Sequence, residues 1–303
     1  MAIPHKESGQ QNYLPLVSIG MPVYNGEKYI RDALDTLLAQ TFESFEIIIS
    51  DNASTDNTEE ICREYVQRDE RIIYFRQREN VGAAKNFQFV LEHAKAGHFM
   101  WAAYDDTWAN NYLMDAFALL CDQSIDFVFP SFEVRSIKLN IGKKFSSDIF
   151  EFISLKDRKQ RVLQFLALHH DSHKCNIVYS LFRTKFIKKA LNIQDIGNDG
   201  ALGATIVALG RGRLLSGGLF RKIYPRLWPG ALSFIFAWFY RNHSIDFDLA
   251  KAVALNRLGA LFPEYMDEIK RIFELYRPYT HKKYYQICSI DHDFARRKSN
   301  EPH

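Results

Sequence analysis

From residue 15 to about residue 135 the chain alternates two hydrophobic periods, short apolar runs and helical stripes, with few long gaps. The run LPLVSIGMPVY reads as a buried strand. GEKYIRDALDTLLAQ then places Tyr29, Ile30, Ala33, Leu34, Leu37 and Leu38 on one helical face. FEIIIS is a second buried strand, and Asp56 with Glu59 three residues later gives a capping-box-like start to the helix TEEICREYVQR. RIIYFRQ predicts a third strand and AAKNFQFVLEHAKA a helix. HFMWAAY predicts a fourth strand, followed by a helix beginning near Ala109 and then the strand FVFPSFEV. Alternation of this length predicts a mostly parallel sheet with helices on both faces, because each crossover between parallel strands needs a connecting element.

Polar clusters fall at the end of each of the first four strands: Tyr24 to Glu27, Asp51-Asn52, Glu79-Asn80 and Asp105-Asp106. In such sheets ligands bind outside the carboxyl ends of the strands, so the pattern predicts one site built from four loops. The adjacent carboxylates Asp105 and Asp106 repel each other at a buried strand end unless a cation sits there. The loop after strand one holds a single glycine, which argues against a dinucleotide site, and a Walker-type phosphate loop is absent. A phosphorylated ligand would then need a divalent metal held by carboxylates.

Beyond residue 136 the pattern loosens, with a helix around LKDRKQRVLQFLALHH and another in GALGATIVALGRG. The spacing in His169-His170-Asp171-Ser172-His173 fits no zinc pattern and reads as an acceptor-side loop or a surface turn. Residues 226–243 follow several arginines and are dense in aromatic and aliphatic side chains. That order suits an anionic membrane interface, a core or a dimer interface. Two further helices and a polar tail close the chain.

With 303 residues, 47% of them hydrophobic, the chain is long enough for one large core with a smaller appended unit. A net charge of +3 does not argue for nucleic acid. The four cysteines are widely spaced with no CxxC pair, which favours a reducing compartment. The start MAIPHKESGQQNY lacks the apolar core of a signal peptide, and no run reaches the roughly 18–20 apolar residues of a membrane span. A cytoplasmic protein is expected.

VSIGMPVYNGEKYIRDALDTLLAQTFESFEIIISDNASTDNT, then ENVGAAKNF, then YDDTW together resemble the inverting nucleotide-sugar glycosyltransferases of family 2. The likeness covers residues 15–110 closely and 195–225 loosely. It implies an α/β GT-A fold with a Rossmann-like, mostly parallel sheet flanked by helices. A flexible stretch 1–13 would precede a GT-A domain over 14–225, divided into a nucleotide-binding half (14–110) and an acceptor half (111–225). A helical extension would occupy 226–303.

The same resemblance implies that Pro22, Tyr24 and Glu27 border the nucleotide pocket and that Asp51 accepts a hydrogen bond from a pyrimidine imide. The plain alternative for Asp51 is a turn-forming aspartate. Asn80 and Lys85 stand in the family's N-x-G…(R/K)-N turn, where Lys85 either reaches a diphosphate or is simply solvated. Aligned on Trp108, the family's D-x-D motif becomes Ala103-Tyr104-Asp105. Tyr104 is thereby placed beside the nucleotide and Asp105 becomes the ligand for Mn²⁺ or Mg²⁺. Ala103 departs from the family by lacking the first carboxylate, and Asp106 either compensates or caps the next helix. Asp199, opening the helix after QDIGN, is the implied catalytic base, with Asp195 its nearest competitor.

The expected function is metal-dependent, inverting transfer of a sugar from a UDP- or dTDP-sugar to a hydroxyl of a cell-surface glycan or lipid-linked precursor. It would take place in the cytoplasm or at the inner face of the membrane, with peripheral membrane contact through 226–243 and a homodimer as further partners. The rivals are a non-catalytic nucleotide-sugar or glycan-binding protein of the same fold and an NAD(P)-dependent oxidoreductase.

Overall fold

A computed structural model of the chain describes residues 14–136, 141–145, 147–168, 174–191 and 199–224, with Asp267 and Lys270. The expectations for residues 1–13, His169–His173, Asp195, the 226–243 segment and the helices after 246 lie outside the described residues. Backbone contacts divide the chain into two units, Met1–Ser244 and Ile245–His303. The first unit carries the sheet.

Its elements run β1 (Val17–Val23), α1 (Ile30–Leu38), β2 (Phe45–Asp51), α2 (Thr58–Arg68), β3 (Ile72–Arg76), α3 (Ala83–Glu92) and β4 (His98–Trp101). They continue with β5 (Asp106–Trp108), α4 (Tyr112–Leu120), β6 (Phe127–Ser136), β7 (Ile141–Phe145), α5 (Arg158–Ala167), β8 (Leu181–Arg183), α6 (Thr184–Ala190), α7 (Asp199–Leu209) and β9 (Gly212–Tyr224). Among the described residues one sheet has the strand order β3-β2-β1-β4-β8-β6-β9-β5, with β7 paired to β6. The pairings β2–β3, β1–β2, β1–β4 and β6–β9 are parallel. The remainder are antiparallel.

β1 and β2 sit in the middle of the parallel half and are buried along their whole length. Burial on both faces explains why they read as continuous apolar runs. Helix α1 turns Ile30, Ala33, Leu34 and Leu37 to the core, as its stripe predicts. The polar groups that interrupt the core are matched internally. The Ser18 hydroxyl donates to buried Glu46 (2.6 Å) and accepts from the Ala96 N–H (3.0 Å). Ser50 and Asn86 exchange two bonds, hydroxyl to Oδ1 (2.6 Å) and Nδ2 to the Ser50 carbonyl (2.9 Å). The first pair ties β2 to β1 at their N-terminal ends, and the second ties β2 to α3 beneath the loop that follows β2.

Three local expectations change. β4 stops at Trp101, and Asp106–Trp108 pairs antiparallel with β9 (Asp106 opposite Lys222) rather than leading straight into a helix. α4 therefore starts at Tyr112, not near Ala109. The partner strand lies more than a hundred residues away, which local periodicity does not report. Helix α2 is not closed by a capping box either, because Asn57 is its N-cap without a side-chain bond. The Glu59 carboxylate instead pairs with Arg63 (2.8 Å) and Arg76 (2.7 Å).

Ile48, with no exposed surface at the centre of β2, sets a test of the packing. Ile48→Ala is expected to cost about 2–5 kcal/mol in urea unfolding, whereas Val66→Ala on the exposed face of α2 should stay within about 0.5 kcal/mol.

Candidate active site

Every strand of the parallel half releases its chain at the same edge of the sheet, and the loops there bond to one another. The loop after β1 offers three successive N–H groups. Asn25 donates to Ser54 Oγ (2.9 Å), Gly26 to Thr58 Oγ1 (2.8 Å) and Glu27 to Asp56 Oδ2 (3.1 Å). The traffic is reciprocal, since the Thr55 N–H donates to Asn25 Oδ1 (2.9 Å) and the Asn57 N–H to Glu27 Oε2 (2.9 Å). The loops after β2 and β3 are joined by Asn52, which donates to Asn80 Oδ1 (2.9 Å) and accepts from the Val81 N–H (2.8 Å). The fourth loop closes on the first: a Cβ at Gly26 would lie 2.9 Å from the Tyr104 ring and 2.6 Å from Val23, so only glycine lets Tyr104 rest there.

Two non-glycine residues with positive φ, Asn25 (53°) and Ala53 (59°), lie in these loops. Ala53 gains nothing locally from that conformation, so the surrounding bonds must hold it.

The expected site residues are thus gathered by four loops but differ in what they offer. Pro22 is buried in β1, Tyr24 is 42% exposed and Glu27 is half-buried. Asn80 is exposed but spends Oδ1 on Asn52 and on the Gly82 N–H (2.9 Å). Lys85 is exposed in the first turn of α3, after Gly82 at φ 86°. Asp51 has no exposed surface. Its Oδ1 accepts from the Ser54 N–H (2.8 Å), its Oδ2 accepts from the Tyr74 hydroxyl (2.8 Å), and Arg76 Nη1 stands 3.9 Å from Oδ2. The turn-forming role is therefore real, and a base can meet this carboxylate only if a neighbour gives way.

Asp105 and Asp106 divide. Asp105 is half-buried between strands, whereas Asp106 opens β5 with no exposed surface. Of the two carboxylates expected to face a metal, Asp105, in the turn before β5, is the more open. Among the described residues no three His, Cys, Asp or Glu side chains converge on one point. Asp199 is the first residue of α7. That helix feeds β9 through Gly210 and Arg211 alone, and β9 runs parallel to β6. The helix packs against α5 and α6.

Ser54, which lies within the DNASTDNT stretch, and Tyr74 and Arg76, which carry no motif, surround Asp51. Tyr74 and Arg76 share one face of β3 by simple alternation, and that is the one signal the sequence offers for them. Arg76 also donates to the Ser54 carbonyl (3.2 Å). Cys62, beneath these groups, is an inert thiol: burial, then the charges of Asp51, Asp56 and Glu59, push it up to about 12. Two surface cavities, of about 360 and 440 Å³, are lined by other residues, among them Lys185 and Lys189 in the first and Glu151 and Arg213 in the second.

Residues 18–189 match the family model described as Glycosyl transferase family 2. The chain belongs to glycosyl transferase family 2. A glycosyltransferase of Rickettsia typhi is 32% identical over 173 residues, 56% of this chain and 51% of that protein. A Bacillus subtilis glycosyltransferase named for teichuronic acid biosynthesis, TuaG, is 34% identical over 125 residues, 41% of this chain and 50% of its own. The chain spans about half the length of these curated relatives. Among solved structures, Staphylococcus aureus TarS 1-349 in complex with UDP-GlcNAc superposes with a TM-score of 0.53 at 21% identity, over 70% of this chain and 59% of that one. The mannosyltransferase PcManGT of Pyrobaculum calidifontis, in complex with GDP-Man and Mn²⁺, gives 0.50 at 15%, over 90% and 83%. At these identities the likeness is one of fold, and the fold is GT-A.

Asp56 provides a test of the loop lattice. Burial alone would raise its carboxyl, but the hydroxyl and N–H of Thr58 and the N–H of Glu27 hold it below the usual carboxylate range. A lowered folded value means stability that is present above the unfolded value of about 3.9 and is lost as pH falls through the folded one. Asp56→Ala should cost about 1–2 kcal/mol at pH 7, and thermal melts of the variant should fall less steeply below about pH 4 than those of the parent.

Proposed function

We propose that this family 2 chain is a metal-dependent, inverting glycosyltransferase that moves a sugar from a UDP- or dTDP-sugar to a hydroxyl of a cell-surface glycan or lipid-linked precursor. The observation that carries the reading is the half-buried Asp105 at the loop edge, beside a Tyr104 ring seated on Gly26. In this reading Tyr24 offers its exposed ring to the base, Asp51 meets the base edge, and Lys85 and Asn80 border the diphosphate. The cytoplasm, or the inner face of the membrane with contact through 226–243, is the proposed location.

Asp105 would hold Mn²⁺ or Mg²⁺, a fit that rests on donor chemistry: one open carboxylate gives a hard oxygen ligand, and diphosphate oxygens and water complete such sites. Bound there, the cation would offset the charge developing on the departing diphosphate. The chain's own amides do not serve that purpose in the first loop, because Asn25, Gly26 and Glu27 spend their N–H groups on Ser54, Thr58 and Asp56. The same fact weighs against an NAD(P) site, which needs free amides at that turn. Asp199 would take the proton from the acceptor hydroxyl as that oxygen attacks the anomeric carbon. Ala103, 8% exposed where the family carries a carboxylate, favours as second reading a protein that binds nucleotide-sugar or glycan without turnover.

Thermal shift against UDP, dTDP, GDP, CMP and NAD, each with Mn²⁺ or EDTA, separates these readings. Stabilisation by UDP or dTDP that needs Mn²⁺ is expected, and Asp105→Asn should remove the metal requirement together with the stabilisation. No response to any nucleoside diphosphate with Mn²⁺ present would sink the donor assignment. In transfer assays Asp199→Asn is expected to lower kcat by about 10²–10⁴-fold while donor affinity stays within about threefold. Equal loss of donor binding and transfer would remove Asp199 from the base role, and binding without any turnover by the parent chain would favour the second reading.

A further inference from the structure

The Asp51 carboxylate poses a problem for any base that is to meet it. It has no exposed surface, and each of its oxygens already accepts a hydrogen bond, from the Ser54 N–H and from the Tyr74 hydroxyl, both at 2.8 Å. The carboxylate has lone pairs to spare but no open approach, so a ring N–H reaches it only when one of these donors moves aside.

The two are not equally free to leave. Ser54 is fixed from three sides, since its Oγ accepts from the Asn25 N–H (2.9 Å), its carbonyl accepts from Arg76 (3.2 Å) and its own N–H turns back to Asp51. Moving it would break the lattice between the first two loops. Tyr74 lies on β3, an edge strand of the sheet, and is half-buried. Its ring is flanked by the Arg63 guanidinium at 5.5 Å. A side-chain rotation releases its hydroxyl without disturbing a main-chain bond.

We propose that Tyr74 is the resting donor to Asp51 and that it is exchanged for the ring N–H of an imide-bearing base, uracil or thymine, when the nucleotide binds. This rests on the reading that Asp51 faces the base of the donor. Burial first, then the bond to Asp51, raises the Tyr74 phenol above its ordinary range, so it remains an O–H donor at neutral pH. Arg76, 3.9 Å from the carboxylate, adds a cation and no acceptor. The Asp51 oxygens themselves only accept, so a ring nitrogen that is also an acceptor, as in cytosine, cannot pair with them and does not take the place of Tyr74.

Exchange has an unusual energetic consequence. In the parent chain the bound base replaces one hydrogen bond to a carboxylate by another, so the base edge adds little affinity. In Tyr74→Phe the free protein keeps the ring but leaves Asp51 Oδ2 short of a donor, and the bound imide supplies it. A bond of that kind is worth about a tenfold change in Kd. A pocket variant that lacks a polar group should then bind its ligand more tightly.

The test is calorimetric Kd for UDP and for CDP, with Mn²⁺, in the parent and in Tyr74→Phe. The expected result is UDP bound about tenfold more tightly by the variant, CDP unchanged within about twofold, and a lower Tm for the ligand-free variant. Weaker or unchanged UDP binding, or an equal shift for both nucleotides, overturns the exchange. If the parent binds neither nucleotide, the donor reading fails and the exchange fails with it. If the parent binds UDP and the variant does not bind it more tightly, the exchange alone falls. A second measurement keeps the fold and the hydroxyl: 3-fluorotyrosine placed at position 74 should shift its ¹⁹F resonance with UDP and not with CDP, and an unmoved resonance overturns the proposal.

Discussion

Parallel strands that all end at one edge leave a row of loops whose amides and carbonyls belong to no ladder, and these must be matched before anything can bind there. In this chain they are matched sideways. Side-chain oxygens of Ser54, Asp56 and Thr58 take the amides of Asn25, Gly26 and Glu27, and the side chains of Asn25 and Glu27 return the service to Thr55 and Asn57. This lattice sets the shape of the site. It holds Asn25 and Ala53 in a conformation that neither would keep alone, and it uses up the main-chain donors that a pyrophosphate would otherwise seek. Charge on a diphosphate then has to be met from elsewhere, which is the physical case for a cation at Asp105.

The lattice stands on buried polar joints one layer below. Ser50 and Asn86 bind β2 to α3 and Gln77 adds a bond to Ser50 (3.0 Å), while at the opposite ends of the strands Ser18 with Glu46 binds β1 to β2 and to the turn before β4. Buried polar groups of this kind contribute little net stability when satisfied and cost much when one partner is lost. Their effect is on position: they fix the strand ends against one another, so the loop residues meet at hydrogen-bond distance.

The first three strands and their helices were legible because each crossover is local and each buried strand announces itself as an apolar run. Asp51 and Asp105 stand out in the sequence because a carboxylate at the end of such a run has no apolar packing to do, and what the sequence leaves out is the turn that Asp51 closes through Ser54. β5, β8 and β9 were not, since their antiparallel partners come from distant parts of the chain: His98 faces Arg183, and Asp106 faces Lys222. The Asp105-Asp106 pair shows the same limit at the scale of one residue. The two are chemically identical in the sequence, and only the start of β5 at Asp106 makes one a buried strand residue and leaves the other half open. Tyr74 and Arg76 were hidden for a different reason, because an aromatic and a long cation in an edge strand satisfy β propensity on their own.

This division bears on how a cation would be held. Two carboxylates on one ion would give a site with affinity of its own, whereas a single half-open carboxylate leaves most of the coordination shell to diphosphate oxygens and water. Among the described residues no group of three His, Cys, Asp or Glu side chains offers such a site either. Metal and nucleotide would therefore arrive as a coupled pair, each raising the other's affinity by the same factor. Asp51 sits under a related constraint, since its carboxylate has no exposed surface and already carries a donor on each oxygen. For a nucleotide bound as proposed, selectivity would be decided by the difference between two satisfied states and not by an open pocket waiting to be filled.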